Sequence, residues 1–246
     1  MNKKYKLIKD KDVLKFINLF NIKFDKKLTN NYNYARVVSL CSLNLLLNKI
    51  NIKFFNKVAV VSGDHHEPEL KLINYNNVDL LNYDDNSNLF DLDKDWKYSK
   101  NSIKKYNFNS YDFILCNHVL EHIFSPMQGL KNIYDLLKKG GYAWISCPTI
   151  NCIHGEPFFY SSGYHPRYLN RLAKKNNFKV IYVGNWGNKK YLTHAVNGRW
   201  LLYNELLPGF RSRYDFLYPQ LSLIDGTKND LSGKFICDTW ALLKKN

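Results

Sequence analysis

The sequence contains few cysteines, and no two of them form a Cys-x-x-Cys pair. The five lie scattered, at Cys41, Cys116, Cys147, Cys152 and Cys237. This pattern excludes the common zinc-ribbon and redox-disulfide motifs, because both need closely spaced thiols. We therefore expect reduced thiols, which are mostly buried as small apolar side chains. A cytoplasmic protein without a cysteine-bound metal is the prediction.

Long apolar runs are also absent from the sequence. The longest apolar region, residues 35–47, is interrupted by Arg36, Ser39, Ser42 and Asn44 and is too short to span a bilayer. Lysine and asparagine likewise interrupt the amino-terminal stretch, where a signal peptide would carry a continuous apolar core. The sequence predicts no membrane span and no export.

Acidic residues are few relative to basic ones. The chain has 21 Asp and Glu against 36 Lys and Arg, a net charge of +15 that attracts anionic partners. However, the lysines are spread along the chain instead of being clustered beside exposed aromatic residues, so a compositional bias can supply much of this charge. Nucleic acid is therefore the less favoured partner, and the oligomeric state is left open.

Apolar periodicity indicates an α/β protein. Residues 1–56 form a predicted amino-terminal helical segment, with helices at 12–20 and 34–50, and residues 57–246 form one globular unit. The predicted strands of that unit are 58–61, 77–81, 88–92, 111–116, 142–147, 178–183 and 235–243, and the predicted helices are 119–137 and 167–175. Strands that alternate with helices favour a mainly parallel sheet covered on both faces.

Residues 111–148 read YDFILCNHVLEHIFSPMQGLKNIYDLLKKGGYAWISCP. An Asp opens a buried strand, a small polar residue ends it, Leu-Glu-His follows, and Gly-Gly precedes the next strand. This arrangement resembles the fourth strand, helix and fifth strand of class I S-adenosylmethionine-dependent methyltransferases, and the carboxyl-terminal part is similar to small methyltransferases acting on sugars. The resemblance implies a Rossmann-like, doubly wound sheet of seven strands with S-adenosylmethionine as cofactor.

The ends of the predicted strands supply the candidate cofactor residues. Asn117 and His118 end a buried strand at the edge where ligands bind in such folds. The Asn117 amide suits the zwitterionic methionine end of the cofactor, or it caps the helix that follows. Glu121 and His122 lie in the first turn of that helix, where the helix dipole favours a glutamate.

The turn after the first strand departs from the family because it contains a single glycine. The predicted binding residues there are Ser62, Gly63, Asp64 and Glu67, with Gly63 making the turn and a carboxylate holding the cofactor's ammonium group. The adjacent His65 and His66 could suggest a metal, but no ligand follows at suitable spacing, so none is predicted.

The resemblance also implies acidic residues for the nucleoside. Asp84 and Asp85 are the candidates for the ribose hydroxyls, and Asp91 or Asp93 for the adenine amine. The alternative is that these aspartates only form solvated turns.

Methylation of a hydroxyl benefits from a general base, and histidine is suited to this role. His165 and His154, in the loop after the fifth family strand, are the predicted catalytic residues; His165 could instead be a hinge of that loop. The leading hypothesis is O-methylation of a sugar, a surface-glycan precursor (capsule or lipopolysaccharide) or a related metabolite. The alternatives are an RNA or protein methyltransferase and a non-catalytic binding protein.

Overall fold

The computed structural model describes residues 32–52, 54–83, 90–98, 107–198, 221–223 and 235–246. The helices are α1 (Tyr34–Lys49), α2 (Pro126–Leu136), α3 (Pro166–Lys175) and α4 (Lys189–Val196). The strands are β1 (Phe54–Val61), β2 (Asn74–Leu81), β3 (Tyr111–Asn117), β4 (Leu137–Pro148), β5 (Phe178–Trp186), β6 (Leu221–Leu223) and β7 (Asp238–Lys245). Short 3₁₀ turns occupy Pro68–Leu72, Trp96–Tyr98 and Leu120–His122.

All the strands belong to one sheet with the order β2-β1-β3-β4-β7-β5-β6. Strands β1 to β4 are mutually parallel, whereas β7 is antiparallel to both of its neighbours, β4 and β5. Strand β5 therefore runs in the same direction as β4, and the three-residue β6 pairs with it in the opposite direction. The predicted Rossmann-like, mainly parallel architecture is confirmed.

Alternate residues of each strand pack on opposite faces of the sheet, as the pleat requires. On one face, Val58 and Val60 of β1 belong to a core built with α1. On the other face, Ala59 and Val61 belong to a core built with α2 and α3. Both faces are thus covered, which explains why the central strands read as continuous apolar runs instead of alternating patterns.

The predicted helix at 119–137 is wrong in its extent. Residues 120–122 form only a 3₁₀ turn, and α2 starts at Pro126 after the cap Ser125, whose side chain accepts a hydrogen bond from the Gln128 amide. Proline cannot donate the backbone hydrogen bond that a continuous helix would need at this position, but it is well suited to a first helical turn. The chain between the 3₁₀ turn and α2 is therefore a genuine break.

Two further details differ from the sequence-based expectation. Residues 90–92 form a turn and not part of a strand, and residues 88–89 lie outside the described part of the chain. The Gly140-Gly141 pair lies within β4 instead of before it, with Gly140 at a φ of 81°, close to an irregularity in the pairing with β3. A glycine tolerates that left-handed conformation without strain.

The predicted helix at 12–20 lies outside the described residues, and the division at residue 56 stays a prediction. In the described part of the chain, α1 packs directly on the sheet, and all five cysteines are free, with only Cys152 exposed. No helix among the described residues has the length and apolar character needed to cross a membrane.

Gly184 of β5 provides a test of how tightly β5 packs against β7, the strand that lies between β4 and β5. A Cβ at this glycine would lie 2.4 Å from Nε1 of Trp240, which is fully buried in β7. We expect Gly184→Ala to reduce the free energy of unfolding by about 1–3 kcal/mol through overpacking, measured by urea denaturation. Lys179→Ala, on the exposed part of the same strand, should change it by less than about 0.5 kcal/mol; equal effects of the two variants would contradict this packing argument.

Candidate active site at the carboxyl edge of the sheet

The parallel strands end at one edge of the sheet, and two of them end in left-handed backbone. Ser62 follows β1 with a φ of 50°, and His118 follows β3 with a φ of 53°. This conformation is uncommon for residues other than glycine and is found preferentially at functional sites. Asp238 reaches the same edge from the antiparallel β7, because it pairs with Pro148 at the end of β4.

Three cavities open at this edge, and His118 lines all of them. The large cavity, of about 530 Å³, is lined by residues that include Ser62, Tyr83, Asp91, Asp93, Phe158 and Tyr160. The acidic cavity, of about 400 Å³, is lined by residues that include Asn33, Arg36, Asp64 and Glu67. The loop cavity, of about 370 Å³, is lined by residues that include Asn151, Cys152, His154, Tyr191 and Asp238.

Two carboxylates flank the His118 ring. Its Nε2 lies 3.1 Å from Oδ2 of Asp238, a hydrogen bond, and its Nδ1 lies 3.8 Å from Oε1 of Glu121. Burial disfavours the charged imidazolium, but the attraction of Asp238 and then of Glu121 outweighs it, so the pKa of His118 is raised. The Asp238 carboxylate therefore fixes the orientation of His118.

A buried ion cluster joins α1 to the turn after β1. Nη2 of Arg36 donates to Oε2 of Glu67 at 2.5 Å and to Oε2 of Glu69 at 2.8 Å. Burial raises the pKa of the Glu69 carboxyl, whose side chain is fully buried. Burial would lower the pKa of Arg36, yet Glu69 and Glu67 outweigh burial and raise it. Arg36 and Glu69 therefore depend on their contact with each other to remain charged away from water.

Asn117 extends this cluster across the sheet. Its Nδ2 donates to Oε2 of Glu67 at 3.5 Å, and its Oδ1 accepts from the Ser146 hydroxyl at 2.9 Å. The 3₁₀ turn that follows has no side-chain cap, so the alternative in which Asn117 caps a helix is wrong. Its cofactor-binding role stays a prediction.

The glycine-poor turn is close-packed. The Gly63 amide donates to Oδ1 of Asn82 at 3.1 Å, and Oδ1 of Asp64 accepts from the His66 amide at 2.6 Å. A Cβ at Gly63 would lie 2.7 Å from Cγ1 of Val60 and 2.9 Å from Oε1 of Glu67. A larger residue would therefore force the Val60 or Glu67 side chain to shift.

The predicted nucleoside residues divide into two groups. Asp84 and Asp85 lie outside the described residues. Asp91 and Asp93 both line the large cavity. Asp91 forms an ion pair of 3.2 Å with Lys94, whereas Asp93 accepts from the Phe124 and Ser125 amides at 3.0 and 2.5 Å and so fixes the chain before α2.

The two predicted catalytic histidines occupy different environments. His154 is exposed and lines the loop cavity. His165 caps α3, because its Nδ1 accepts from the Arg167 amide at 3.1 Å, and it lines none of the three cavities. Burial and then Arg167 lower the pKa of His165. Its catalytic role stays a prediction, with helix capping as the function that the contacts support.

Sequence reasoning missed Arg36 and Asp238 as parts of this edge. A signal was present in both cases: Arg36 interrupts the apolar pattern of the predicted helix at 34–50, and Asp238 places a charge within the predicted strand at 235–243. His65 and His66 are exposed in a turn, and neither belongs to the one group of potential metal ligands found among the described residues.

A comparison with family models identifies the domain type. The family model of a methyltransferase domain matches residues 45–183, more than half of the 246 residues. No curated protein sequence matches the chain. The match runs from the end of α1 into β5 and so includes most of the edge described above.

Solved structures of similar fold have low sequence identity. A SAM-dependent methyltransferase from Thermotoga maritima is 13% identical, with 96% of this chain and 99% of that chain covered and a TM-score of 0.44. Haemonchus contortus phosphoethanolamine N-methyltransferase 2, in complex with S-adenosyl-L-methionine, is 14% identical, with 96% and 57% covered and a TM-score of 0.44. A SAM-dependent methyltransferase from Archaeoglobus fulgidus is 13% identical, with 84% and 94% covered and a TM-score of 0.39.

The buried ion cluster predicts a large effect when its cation is removed. Arg36→Leu leaves the Glu69 carboxylate buried without its partner, so we expect a loss of about 3–5 kcal/mol in the free energy of unfolding at pH 7, measured by urea denaturation. Because the pKa of Glu69 is then higher in the folded than in the unfolded state, the loss should shrink as pH falls toward the ordinary carboxyl pKa of about 4.3.

The double variant Arg36→Leu/Glu69→Gln serves as the control, since a neutral amide needs no counter-charge. It should recover part of the stability at pH 7 and should lack the extra pH dependence. A single variant as stable as the wild type would show that the cluster contributes nothing.

Proposed function

Because this chain belongs to the family of methyltransferase domains, as the resemblance predicted, we propose that it methylates a hydroxyl oxygen of a sugar, of a surface-glycan precursor (capsule or lipopolysaccharide) or of a related small metabolite. S-adenosylmethionine is the methyl donor. The observation that carries the proposal is the position of His118, which lines all three cavities at the carboxyl edge of the sheet. A methyl group can pass between two bound molecules only where their sites meet.

The acidic cavity and the large cavity together suit the donor. In the acidic cavity, Arg36 can face the cofactor's carboxylate, while Asp64 and Glu67 can face its ammonium group. The large cavity combines aromatic rings with the Asp91 and Asp93 carboxyl groups, which suits an adenosine that needs both stacking and hydrogen-bond acceptors. This division supports the predicted cofactor roles of Ser62, Asp64, Glu67 and Asp91.

The loop cavity supports a small acceptor. Its volume of about 370 Å³ is that of a small-molecule site. No lysine lines any of the three cavities in the part of the chain that the structure describes, and the single arginine, Arg36, is paired with two carboxylates. A polyanion such as RNA would require basic side chains at this mouth, so a neutral, hydroxyl-rich acceptor is favoured.

Bound in these cavities, S-adenosylmethionine would supply a methyl group activated by its sulfonium; the acceptor oxygen would displace S-adenosylhomocysteine, and the hydroxyl proton of the acceptor would pass to a general base. His118, oriented by Asp238, lines all three cavities and is therefore placed where it can contact both reactants. The predicted general-base roles of His154 and His165 are retained as proposals. Only His154 lines the cavity that would hold the acceptor.

Titration calorimetry with S-adenosylmethionine and S-adenosylhomocysteine tests the donor site without knowledge of the acceptor. We expect micromolar binding by the wild type. Gly63→Val should lose it, because the added side chain collides with Glu67. Gly140→Asn is the matched control. Gly140 has left-handed backbone and open space around it, and it lies near the start of β4, away from the carboxyl edge, so this variant should bind normally. Absence of wild-type binding would favour the non-catalytic alternative.

Methyl transfer itself can be tested with radiolabelled donor and a panel of free sugars, nucleotide sugars, RNA and protein. We expect label in a sugar-containing acceptor. His118→Asn and Asp238→Asn should then reduce turnover about 100-fold, as expected for a misplaced reactant, whereas His194→Gln, on α4 away from the cavity linings, should not. Label in RNA alone would overturn the choice of acceptor.

A further inference from the structure

Glu121 presents a buried carboxylate that the fold does not satisfy. Its side chain is fully buried, and neither carboxylate oxygen accepts a hydrogen bond from another described residue. The nearest cationic atom is Nδ1 of His118 at 3.8 Å, which is too far for a hydrogen bond. Burying such a group costs free energy unless a proton or a cation compensates for it.

Two imidazoles lie next to this carboxylate with one nitrogen each already engaged. Nδ1 of His122 lies 2.6 Å from the carbonyl oxygen of Phe158, and Nδ1 of His154 lies 2.8 Å from that of Cys152. A carbonyl can only accept, so in each ring Nδ1 carries the proton and Nε2 keeps its lone pair. Backbone carbonyls orient metal-binding histidines in this way.

The loop after β4 is held against the 3₁₀ turn that carries Glu121 and His122. The Glu121 carbonyl oxygen accepts from the Tyr160 and Ser161 amides at 2.9 and 3.2 Å. Gly155, at a φ of 65°, lets the loop approach, because a Cβ there would lie 3.0 Å from Cε1 of His122. These contacts bring His154 to His122, with ring centroids 4.8 Å apart.

We propose that Glu121, His122 and His154 bind one divalent transition-metal cation; with the metal bound, His154 is a ligand and not the general base. One ligand atom from each residue lies within 4.8 Å of the other two. Metal–ligand bonds of about 2.0–2.2 Å require the three ligand atoms to move closer together when the cation binds. Two imidazole nitrogens with one carboxylate favour Zn²⁺, Fe²⁺ or Mn²⁺ over Mg²⁺ and Ca²⁺, which prefer oxygen ligands.

The position of this site gives the cation access to a bound molecule. His122 and Gly155 line the large cavity, and His154 lines the loop cavity. Three protein ligands leave coordination positions open, as in metal sites that bind a substrate oxygen. If the proposed function holds, the cation contacts the acceptor oxygen from the side of the loop; binding of the metal alone does not depend on that function.

Cobalt(II) is the probe for this site, because its visible absorption reports the ligands. After treatment with chelator, the full-length protein should bind one equivalent of Co²⁺ with a visible band. Glu121→Gln and His154→Ala should each weaken binding at least about tenfold, and excess Mg²⁺ should not displace the cobalt. His194→Ala, outside the group, should bind like the wild type.

Two further measurements distinguish failure of the metal site from failure of the proposed function: thermal unfolding with Co²⁺ and binding of S-adenosylmethionine. Co²⁺ should raise the Tm of the wild type but not that of His154→Ala, whose exposed position makes a folding defect unexpected. Wild type that binds no cobalt, or a His154→Ala variant that binds it unchanged, would refute the site. Calorimetry with S-adenosylmethionine on the same samples reports on the proposed function independently.

Discussion

The contact between Arg36 and the carboxylates of Glu67 and Glu69 is the constraint on which the carboxyl edge of the sheet depends. It links α1 to the turn after β1. Glu67 also accepts a hydrogen bond from Asn117, which in turn accepts one from Ser146 on β4. Charges with so little exposure persist only when they are paired. The part of the acidic cavity wall that Arg36 and Glu67 form is therefore fixed by their ion pair.

The same edge explains how a turn with a single glycine can be accommodated. Ser62 takes the left-handed conformation itself, and Gly63 then provides the close approach to the Val60 and Glu67 side chains. From the sequence, only the number of glycines in this turn can be judged. In the structure, the left-handed backbone falls on Ser62 and the close side-chain contacts fall on Gly63.

Continuous apolar runs and helical periodicity predicted most elements of the fold, because burial on both faces leaves a strong local signal. The failures have local physical causes: Pro126 breaks a pattern that still looked helical, and residues 90–92 form a turn with aspartate side chains bound to nearby amides. The site was harder to predict. His118 and Asp238 are 120 residues apart, and only the order of the strands, with β7 inserted beside β4, brings them together.

The electrostatics of the site run opposite to those of the chain as a whole. The net charge is +15, yet the cavity linings contain Asp64, Glu67, Asp91, Asp93 and Asp238. S-adenosylmethionine carries a sulfonium and an ammonium group against one carboxylate, so acidic walls attract it locally. Transfer of the methyl group removes the sulfonium charge, which weakens that attraction for the product. In the proposed donor site, local charge therefore matters more for cofactor exchange than the net charge does, since groups lining a cavity act at shorter range than distant lysines.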